Sequence, residues 1–249
     1  MREVTAALVD RFTPWGVAVV VRLAAPGLGQ PAPGQFVLLS NREHFGRVQP
    51  TALLPSAQQV GETLDVLLPD PVAVADLDRA IRFDRPLRLV GPGGRGFVVE
   101  GRTRRALLVG SGTGVGALLQ LTTLLLGRGL DVTFVWAAEG KNGAMPAGAL
   151  SPEVEYVTPE PDHLLTNLEQ LLPWADALYL ALPTDLLPPV ASLLRRRLPR
   201  LRKGFAQSLI PPPAMPCGVG ACDLCTVRTS GGYRRACRDG LVFDLQALV

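Results

Sequence analysis

The stretch ALLVGSGTGVG at residues 106–116 decides the fold class of this chain. Its first four residues are apolar, as in a buried strand, and its glycine-rich part leads into an apolar, helix-like stretch at 117–126. A glycine-rich turn between a strand and a helix lets backbone amides approach a phosphate at the helix N-terminus. Gly110, Gly112 and Gly114 are therefore the candidate nucleotide-contacting residues, with tight packing of strand against helix as the alternative explanation.

Strand-like and helix-like segments alternate after this turn. The strand-like segments are at 132–136, 154–157, 177–181 and 205–210, and the helix-like ones at 163–172 and 186–197. Strands that alternate with helices are typical of a parallel sheet covered by helices, as in nucleotide-binding domains. We therefore predict an α/β domain of the nucleotide-binding type over residues 103–210.

Residues 1–102 have a different pattern. Short apolar and β-branched runs are separated there by glycine and proline turns, at 17–23, 35–39, 64–68 and 87–90. Such a series predicts a small antiparallel β barrel over these residues. A third region, 211–249, begins with the proline-rich stretch 211–216, which is expected to be a stiff connector.

All four cysteines of the chain lie in that third region. Cys217, Cys222, Cys225 and Cys237 have the spacing C-x4-C-x2-C-x11-C, which is the plant-type ligand pattern for a 2Fe–2S cluster. Such a cluster needs four thiolates, two for each iron, so one tight loop has to supply three of them and a short excursion the fourth. These cysteines are the predicted metal ligands.

The residues between the cysteines suit such a loop. Gly218 and Gly220 can adopt positive φ angles, which lets the backbone bend and direct amides towards the sulfurs. The sequence Ser-Gly-Gly at 230–232 predicts a hairpin that brings Cys237 back. The pattern assigns no role to the carboxylate of Asp223.

Three other uses of the cysteines remain open. A structural zinc site would use the same thiolates, although such sites usually consist of two separated C-x2–4-C pairs. Two disulfides would require an oxidising compartment. A redox pair formed by Cys222 and Cys225 would leave the other two cysteines without a role. The spacing favours the iron–sulfur cluster.

Composition excludes several classes of function. The net charge of +3 is too small to indicate nucleic-acid binding. No apolar run reaches the ~18 residues of a membrane span, and the first residues lack the layout of a signal peptide, so we expect a soluble cytoplasmic protein. The two histidines, His44 and His163, are expected at the surface or in loops. No residue is assigned as a catalytic acid or base, because cofactors would carry the chemistry.

The order of barrel, nucleotide-type domain and cluster loop resembles the ferredoxin–NADP reductase superfamily. Within it, the chain resembles the electron transfer subunits of dihydroorotate dehydrogenase B, a family of pyrimidine biosynthesis. The matching segments are 33–37, 91–97, 107–119, 217–225 and 232–243. The resemblance implies that the barrel at 1–102 is of the FAD-binding type and the α/β domain at 103–210 of the NAD-binding type. It also implies that the subunit binds FAD and, at 211–249, a 2Fe–2S cluster. It implies further that the subunit takes a hydride from NADH and passes single electrons to a catalytic flavoprotein in a hetero-oligomer.

Three segments depart from the pattern of that family. Its flavin-binding segment is Arg-Pro-x-Ser, and the corresponding residues here are Gln49, Pro50, Thr51 and Ala52. Its Gly-x-Gly-Thr element has no counterpart near 67–71, and its Cys-Gly-Pro beside the nicotinamide is replaced by Ala-Leu-Pro at 181–183. Losing one charge-assisted phosphate contact costs ~1.5–3 kcal/mol, so the departures together predict weak or absent NADH oxidation. They also favour an alternative function, a non-catalytic cluster-bearing subunit that has lost flavin and NAD use and serves as a relay or structural partner.

Overall fold

The structure, a computed structural model, describes residues 1–15, 18–40, 51–55, 61–68, 87–137, 145, 148–198 and 200–249. The strands are β1 (Arg2–Trp15), β2 (Ala18–Ala24), β3 (Phe36–Ser40), β4 (Thr51–Pro55), β5 (Thr63–Leu68), β6 (Leu87–Gly93), β7 (Arg105–Gly110), β8 (Asp131–Trp136), β9 (Glu155–Val157), β10 (Ala177–Ala181), β11 (Ala206–Leu209), β12 (Thr226–Thr229), β13 (Gly232–Arg235) and β14 (Val242–Asp244). The helices are α1 (Val115–Leu126), α2 (Leu164–Leu171), α3 (Leu187–Arg197), α4 (Ala236–Asp239) and α5 (Leu245–Leu248). Within these ranges, no helix has the length and apolar character needed to cross a bilayer.

The first six strands form a closed antiparallel barrel in the order β1-β2-β5-β4-β3-β6. Alternation of apolar and polar residues explains this arrangement, because successive side chains of a strand point to opposite faces. In β6, Leu87 and Leu89 are buried in the barrel core while Arg88 between them is exposed. The predicted barrel is confirmed. Sequence analysis missed β1 and β4.

The second sheet has the order β14-β11-β10-β7-β8-β9 and is parallel except for β14. Its central strand β7 is buried on both faces: Leu108 packs in the cluster of buried residues that includes α1, and Leu107 and Val109 pack in the one that includes α2 and α3. Burial on both faces explains why this strand is continuously apolar. The predicted α/β fold with a parallel sheet is confirmed, while the bounds 103–210 stay a prediction, since β14 at 242–244 belongs to the same sheet.

Hydrogen bonds of two glutamine side chains connect the barrel region to the α/β sheet and its helix α1. The side-chain amide of Gln207 in β11 donates to the carbonyl of Val98 at 2.7 Å and accepts from its amide at 2.8 Å, which fixes the segment that follows β6. The amide of Gln120 in α1 donates to the carbonyl of Pro31 in a barrel loop at 2.7 Å. These bonds set the position of the glycine turn relative to the barrel.

The cysteine-containing region packs against both parts of the molecule. Its strand β14 extends the α/β sheet by pairing with β11 in the antiparallel direction. One continuous cluster of buried residues contains Phe36 of the barrel, Leu118 of α1, and both Cys225 and Cys237. The cluster loop is therefore held by the same core that joins the barrel to the α/β sheet.

Candidate iron–sulfur and nucleotide sites

Three residues with left-handed backbone shape the loop that carries the first three cysteines. The φ angles are 66° at Gly218, 80° at Gly220 and 58° at Asp223, the one non-glycine residue with positive φ in the described ranges. Aspartate tolerates this conformation better than most residues because its short side chain bonds locally. The predicted use of the two glycines is confirmed.

The fourth cysteine returns on a hairpin, as the sequence predicted. Strands β12 and β13 pair with Thr226 opposite Arg235 and Thr229 opposite Gly232. The amide of Ala236 then donates to the carbonyl of Cys225 at 2.9 Å. This bond fixes the start of α4, so that Cys237 lies beside the end of the loop.

The four thiols form two pairs of different exposure. Cys217 and Cys222 lie at the surface side, and their thiol groups are hydrogen-bonded to each other, whereas Cys225 and Cys237 are buried and form the second hydrogen-bonded pair of thiols. Backbone amides point at one sulfur of each pair. The amide of Ala221 donates to Sγ of Cys217 at 3.4 Å, and that of Cys237 donates to Sγ of Cys225 at 3.5 Å.

The electrostatic setting differs between the pairs. Burial opposes ionisation of Cys217, but bonds from the amides of Val219 and Ala221 and from Cys222 lower its pKa to about 6. Burial raises the pKa of Cys237 to about 12, with further contributions from its bond to Cys225 and the charge of that thiol. A buried thiolate pair is stable only beside positive charge. The positive charge of Arg235 reaches the Cys225 thiol, and iron bound to both sulfurs would supply further positive charge.

Two thiol pairs fit a two-iron cluster better than a single ion. A structural zinc site would require four ligands in one tetrahedron, whereas a 2Fe–2S cluster takes two thiolates at each iron. All four cysteines are free of disulfide bonds. The donor set and its amide bonds thus fit the cluster that the spacing predicts.

An ion pair that the sequence did not reveal ties the loop to the hairpin. The Arg235 guanidinium pairs with the Asp223 carboxylate and holds the pKa of that carboxyl below its usual range. The amide of Arg235 donates to Asp239 at 2.9 Å, and its side-chain stem lies 3.4 Å from the position of a Cβ added to Gly220. The sequence pattern gave the Asp223 carboxylate no role, whereas the structure gives it this ion pair; that the cluster survives replacement of Asp223 stays a prediction. The two residues are twelve positions apart, and no local pattern links them.

The outer edge of the loop presents apolar side chains to solvent. Val219, Leu224 and Tyr233 are exposed by 63%, 62% and 75%. Beside them is a groove of about 360 Å³ whose lining residues are mostly charged. They are Asp223, Thr226, Tyr233, Arg234, Arg235, Arg238 and Asp239. We call this outer edge and its groove the cluster face.

Packing or backbone conformation explains each of the three candidate glycines of the turn. A Cβ added to Gly110 would lie 2.9 Å from Cδ1 of Leu118 in α1, and one added to Gly114 would lie 3.1 Å from Cβ of Ala181 in β10. Gly112 has a φ of 58°. Strand–helix packing therefore accounts for these glycines whether or not a nucleotide binds.

One polar atom at this turn is nevertheless left for a ligand. The turn lies between β7 and β10, where the strand order reverses and where open α/β sheets bind nucleotides. Ser111 is 5% exposed, and its hydroxyl has no hydrogen-bond partner among the described residues. Its amide donates to the carbonyl of Ala181 at 2.9 Å. Helix α1 begins here without a side-chain cap, and the N-terminus of a helix favours a bound anion. These features fit a dinucleotide.

The flavin segment is only partly within the described residues. Gln49 and Pro50 lie outside them, as does His44. In β4, Thr51 pairs with Leu39 and Ala52 pairs with Leu38 of β3. The contact of these four positions with a flavin stays a prediction. His163 is exposed at the turn before α2, as expected.

Comparison with known sequences connects the cysteine-containing region to one family. Residues 213–249 match the iron–sulfur cluster binding domain of dihydroorotate dehydrogenase B. Over 228 residues, the chain is 30% identical to the electron transfer subunit of dihydroorotate dehydrogenase B (NAD(+)) from Bacillus caldolyticus, which covers 84% of this chain and 72% of that protein. It is 28% identical to the subunit of the same description from Geobacillus thermodenitrificans, with coverage of 85% and 84%.

Solved structures show the same fold at low sequence identity. One is from a study of flavin-based electron bifurcation in an NADH-dependent reduced ferredoxin–NADP oxidoreductase. It matches with a TM-score of 0.78 and 20% identity, over 97% of this chain and 88% of that one. The ferredoxin reductase of carbazole 1,9a-dioxygenase matches with a TM-score of 0.61 and 18% identity, over 80% and 66%. The combination of barrel and α/β domain is thus shared with reductases.

Proposed function

Because the chain belongs to the family of electron transfer subunits of dihydroorotate dehydrogenase B, we propose that it is the iron–sulfur electron-transfer subunit of an oxidoreductase complex. It passes electrons between a reduced nicotinamide or flavin and a partner flavoprotein. One observation carries the proposal: the four thiols form two pairs, and in each pair a backbone amide is directed at one sulfur.

In this proposal Cys217, Cys222, Cys225 and Cys237 hold the cluster. When bound, the cluster supplies a carrier for one electron at a time. The inner thiol pair anchors it in the core, and the outer pair places its edge at the surface, because Cys222 is exposed. The amides of Ala221 and Cys237 stabilise negative charge on the sulfurs, which tunes the potential of such clusters.

The nucleotide positions form the second part of the proposal. Gly110, Gly112 and Gly114 shape the turn where a nicotinamide dinucleotide lies, and the free hydroxyl of Ser111 supports that placement. Gln49, Pro50, Thr51 and Ala52 correspond to the flavin segment of the barrel. We also keep the division into a barrel at 1–102, an α/β domain at 103–210 and a cluster domain at 211–249.

The cluster face is proposed as the docking surface for the catalytic flavoprotein subunit. Electrons can leave only where the cluster approaches the surface, and Val219, Leu224 and Tyr233 surround that place. Exposed apolar side chains beside arginines are the mixture favoured at the centre of protein interfaces. Among the ion pairs of the described residues none involves Arg234, so its guanidinium is available for an acidic group of the partner.

The alternative function is a cluster-bearing subunit that no longer uses flavin or NAD. The observation that favours it is Ala181, which replaces the cysteine that the family has beside the nicotinamide. Ala181 is 3% exposed and packs close to Gly114, so it offers no polar group to a cofactor. Such a subunit would relay electrons or stabilise the complex.

Cofactor analysis of the anaerobically purified chain tests the proposal. A cluster together with bound FAD supports the electron-transfer function in full. A cluster without flavin supports the alternative, and one zinc without sulfide contradicts both. We propose a cytoplasmic location, because reducing compartments keep free cysteines available for cluster insertion.

A further inference from the structure

The cluster loop touches the barrel directly through a glycine. A Cβ added to Gly218 would lie 2.6 Å from Cδ1 of Leu38, far inside ordinary contact distance, and the φ of Gly218 is +66°. Leu38 lies in β3, is 3% exposed and belongs to the central cluster of buried residues, so its side chain has little space to move aside. A side chain at position 218 would therefore press on Leu38 and strain the backbone, and glycine avoids both.

A second contact of the same kind lies beyond the last cysteine. A Cβ added to Gly240 would lie 2.8 Å from both the backbone nitrogen and the backbone oxygen of Arg95, and one added to Gly94 would lie 3.1 Å from Cα of Gly240. Here two backbones meet with no side chain between them. The cysteine-containing segment is thus held against the barrel at both of its ends.

Strand β3 is the neighbour of β4, which carries Thr51 and Ala52, the last two positions of the flavin segment. Leu38 pairs with Ala52 of β4, which belongs to that segment. We infer that Gly218 and Leu38 form a seat that fixes the cluster loop relative to the flavin segment, which makes Gly218 a positioning residue for electron transfer. The inference rests on the proposed function. The step moves one electron from reduced flavin to oxidised cluster without breaking a bond, and its rate falls steeply with distance.

The chain offers a matched control for this seat. Gly220 also has a left-handed backbone, with a φ of +80°, but a Cβ added there would lie 3.4 Å from Cδ of Arg235, an ordinary contact with a half-exposed side chain. Gly218→Ala and Gly220→Ala therefore carry a similar backbone cost, and only the first collides with the barrel. Leu38→Val removes the atom that Gly218→Ala would meet.

Hydrogen–deuterium exchange on the full chain with its cluster tests the seat without any need for flavin. In Gly218→Ala, amides of β3 should exchange about tenfold faster or more, the scale of an overpacking penalty. Gly220→Ala should leave β3 unchanged, and Leu38→Val combined with Gly218→Ala should restore protection. Equal β3 exchange in Gly218→Ala and Gly220→Ala overturns the inference. If Gly218→Ala does not fold, Leu38→Val alone tests the seat. Faster amide exchange at 217–222 in this variant supports the inference, and unchanged exchange there overturns it.

Rapid mixing gives the functional readout. With iron and sulfide content unchanged, Gly218→Ala should slow the reduction of the cluster by reduced flavin, and the double variant should recover the rate. Equal rates in Gly218→Ala and wild type would contradict a positioning role. If the wild type binds no flavin, the proposed function fails, while β3 exchange still decides whether the seat exists.

Discussion

The cysteine loop and the glycine turn carry the two strongest motifs of this chain, and the structure treats them differently. In the turn, Gly110 and Gly114 make close contacts that any strand–helix unit would need. In the loop region, two of the four free thiols are buried, and backbone amides point at the sulfurs of Cys217 and Cys225. No packing requirement explains that arrangement, since a buried unbridged thiol pair contributes little that apolar residues would not.

The comparison shows which motif residues demand a functional explanation. A glycine that already has a conformational or packing reason is weak support for a ligand, even at the correct place in a sheet. Ser111 is the stronger indicator at the turn, because leaving a buried hydroxyl without a partner costs free energy. The cluster is therefore the better supported of the proposed cofactors.

Cys222→Ser should have the largest effect, the loss of the cluster. If the cluster stayed, the contrast between the cysteine loop and the glycine turn would no longer hold. Because Cys222 is exposed, serine there should remove a ligand without opening a cavity in the core. We expect loss of the cluster, measured as iron and sulfide content, with circular dichroism unchanged. Asp223→Asn is the control, since asparagine keeps the left-handed backbone and should keep the cluster. A full cluster in Cys222→Ser would remove this residue from the ligand set.

Charge reversal on the cluster face should separate docking from loop structure. Arg234→Glu should weaken co-purification with the catalytic subunit strongly and leave the cluster spectrum unchanged, because Arg234 has no ion pair among those of the described residues. Arg235→Glu should also disturb the loop, because it opposes Asp223 and Asp239. If Arg234→Glu still binds the partner as wild type does, docking occurs on another surface.

Restoring the family's flavin segment should have an intermediate effect. Gln49→Arg together with Ala52→Ser should tighten FAD binding by about tenfold or more, since a charge-assisted bond contributes ~1.5–3 kcal/mol. Equilibrium titration of flavin fluorescence measures it, with Gln49→Lys and Ala52→Ser as a variant that restores charge without the bidentate geometry. No gain in affinity would mean that the barrel has no flavin site to repair.

Replacing Tyr179, in β10 of the α/β sheet, should have the smallest effect, on the free energy of unfolding. Tyr179 is fully buried, its hydroxyl donates to the carbonyl of Val98 at 3.4 Å, and burial raises its pKa from 10.0 to about 12. Because the folded pKa exceeds the unfolded one, this contribution to stability is complete below pH 10.0 and is lost towards about 12. Tyr179→Phe should cost about 1 kcal/mol at neutral pH and flatten that alkaline decline.

Urea unfolding at a series of alkaline pH values measures this effect. The stability of the wild type should fall relative to Tyr179→Phe between pH 10.0 and about 12. Parallel declines in the two proteins would show that the tyrosine does not couple to folding.

The sequence predicted the elements that have a strong periodic pattern and the loop that has a strict spacing. The pattern at 106–116 predicted the strand, the turn and the start of the helix. The spacing of the four cysteines, with the Ser-Gly-Gly turn, predicted the loop and the hairpin. β14 was missed because a strand of three residues is too short to show an alternating pattern. Its pairing with β11 depends on how the whole C-terminal region folds. The contacts of Gly218 with Leu38 and of Asp223 with Arg235 join positions that only the tertiary fold brings together.

Metal and sulfide content, with electron paramagnetic resonance after dithionite reduction, tests the central claim most directly. The account predicts about two iron atoms and about two sulfides per chain, and a rhombic signal of one unpaired spin in the reduced protein. The signal should be lost in Cys222→Ser and kept in Asp223→Asn. About one zinc per chain, no sulfide and no signal in the reduced protein would contradict the account.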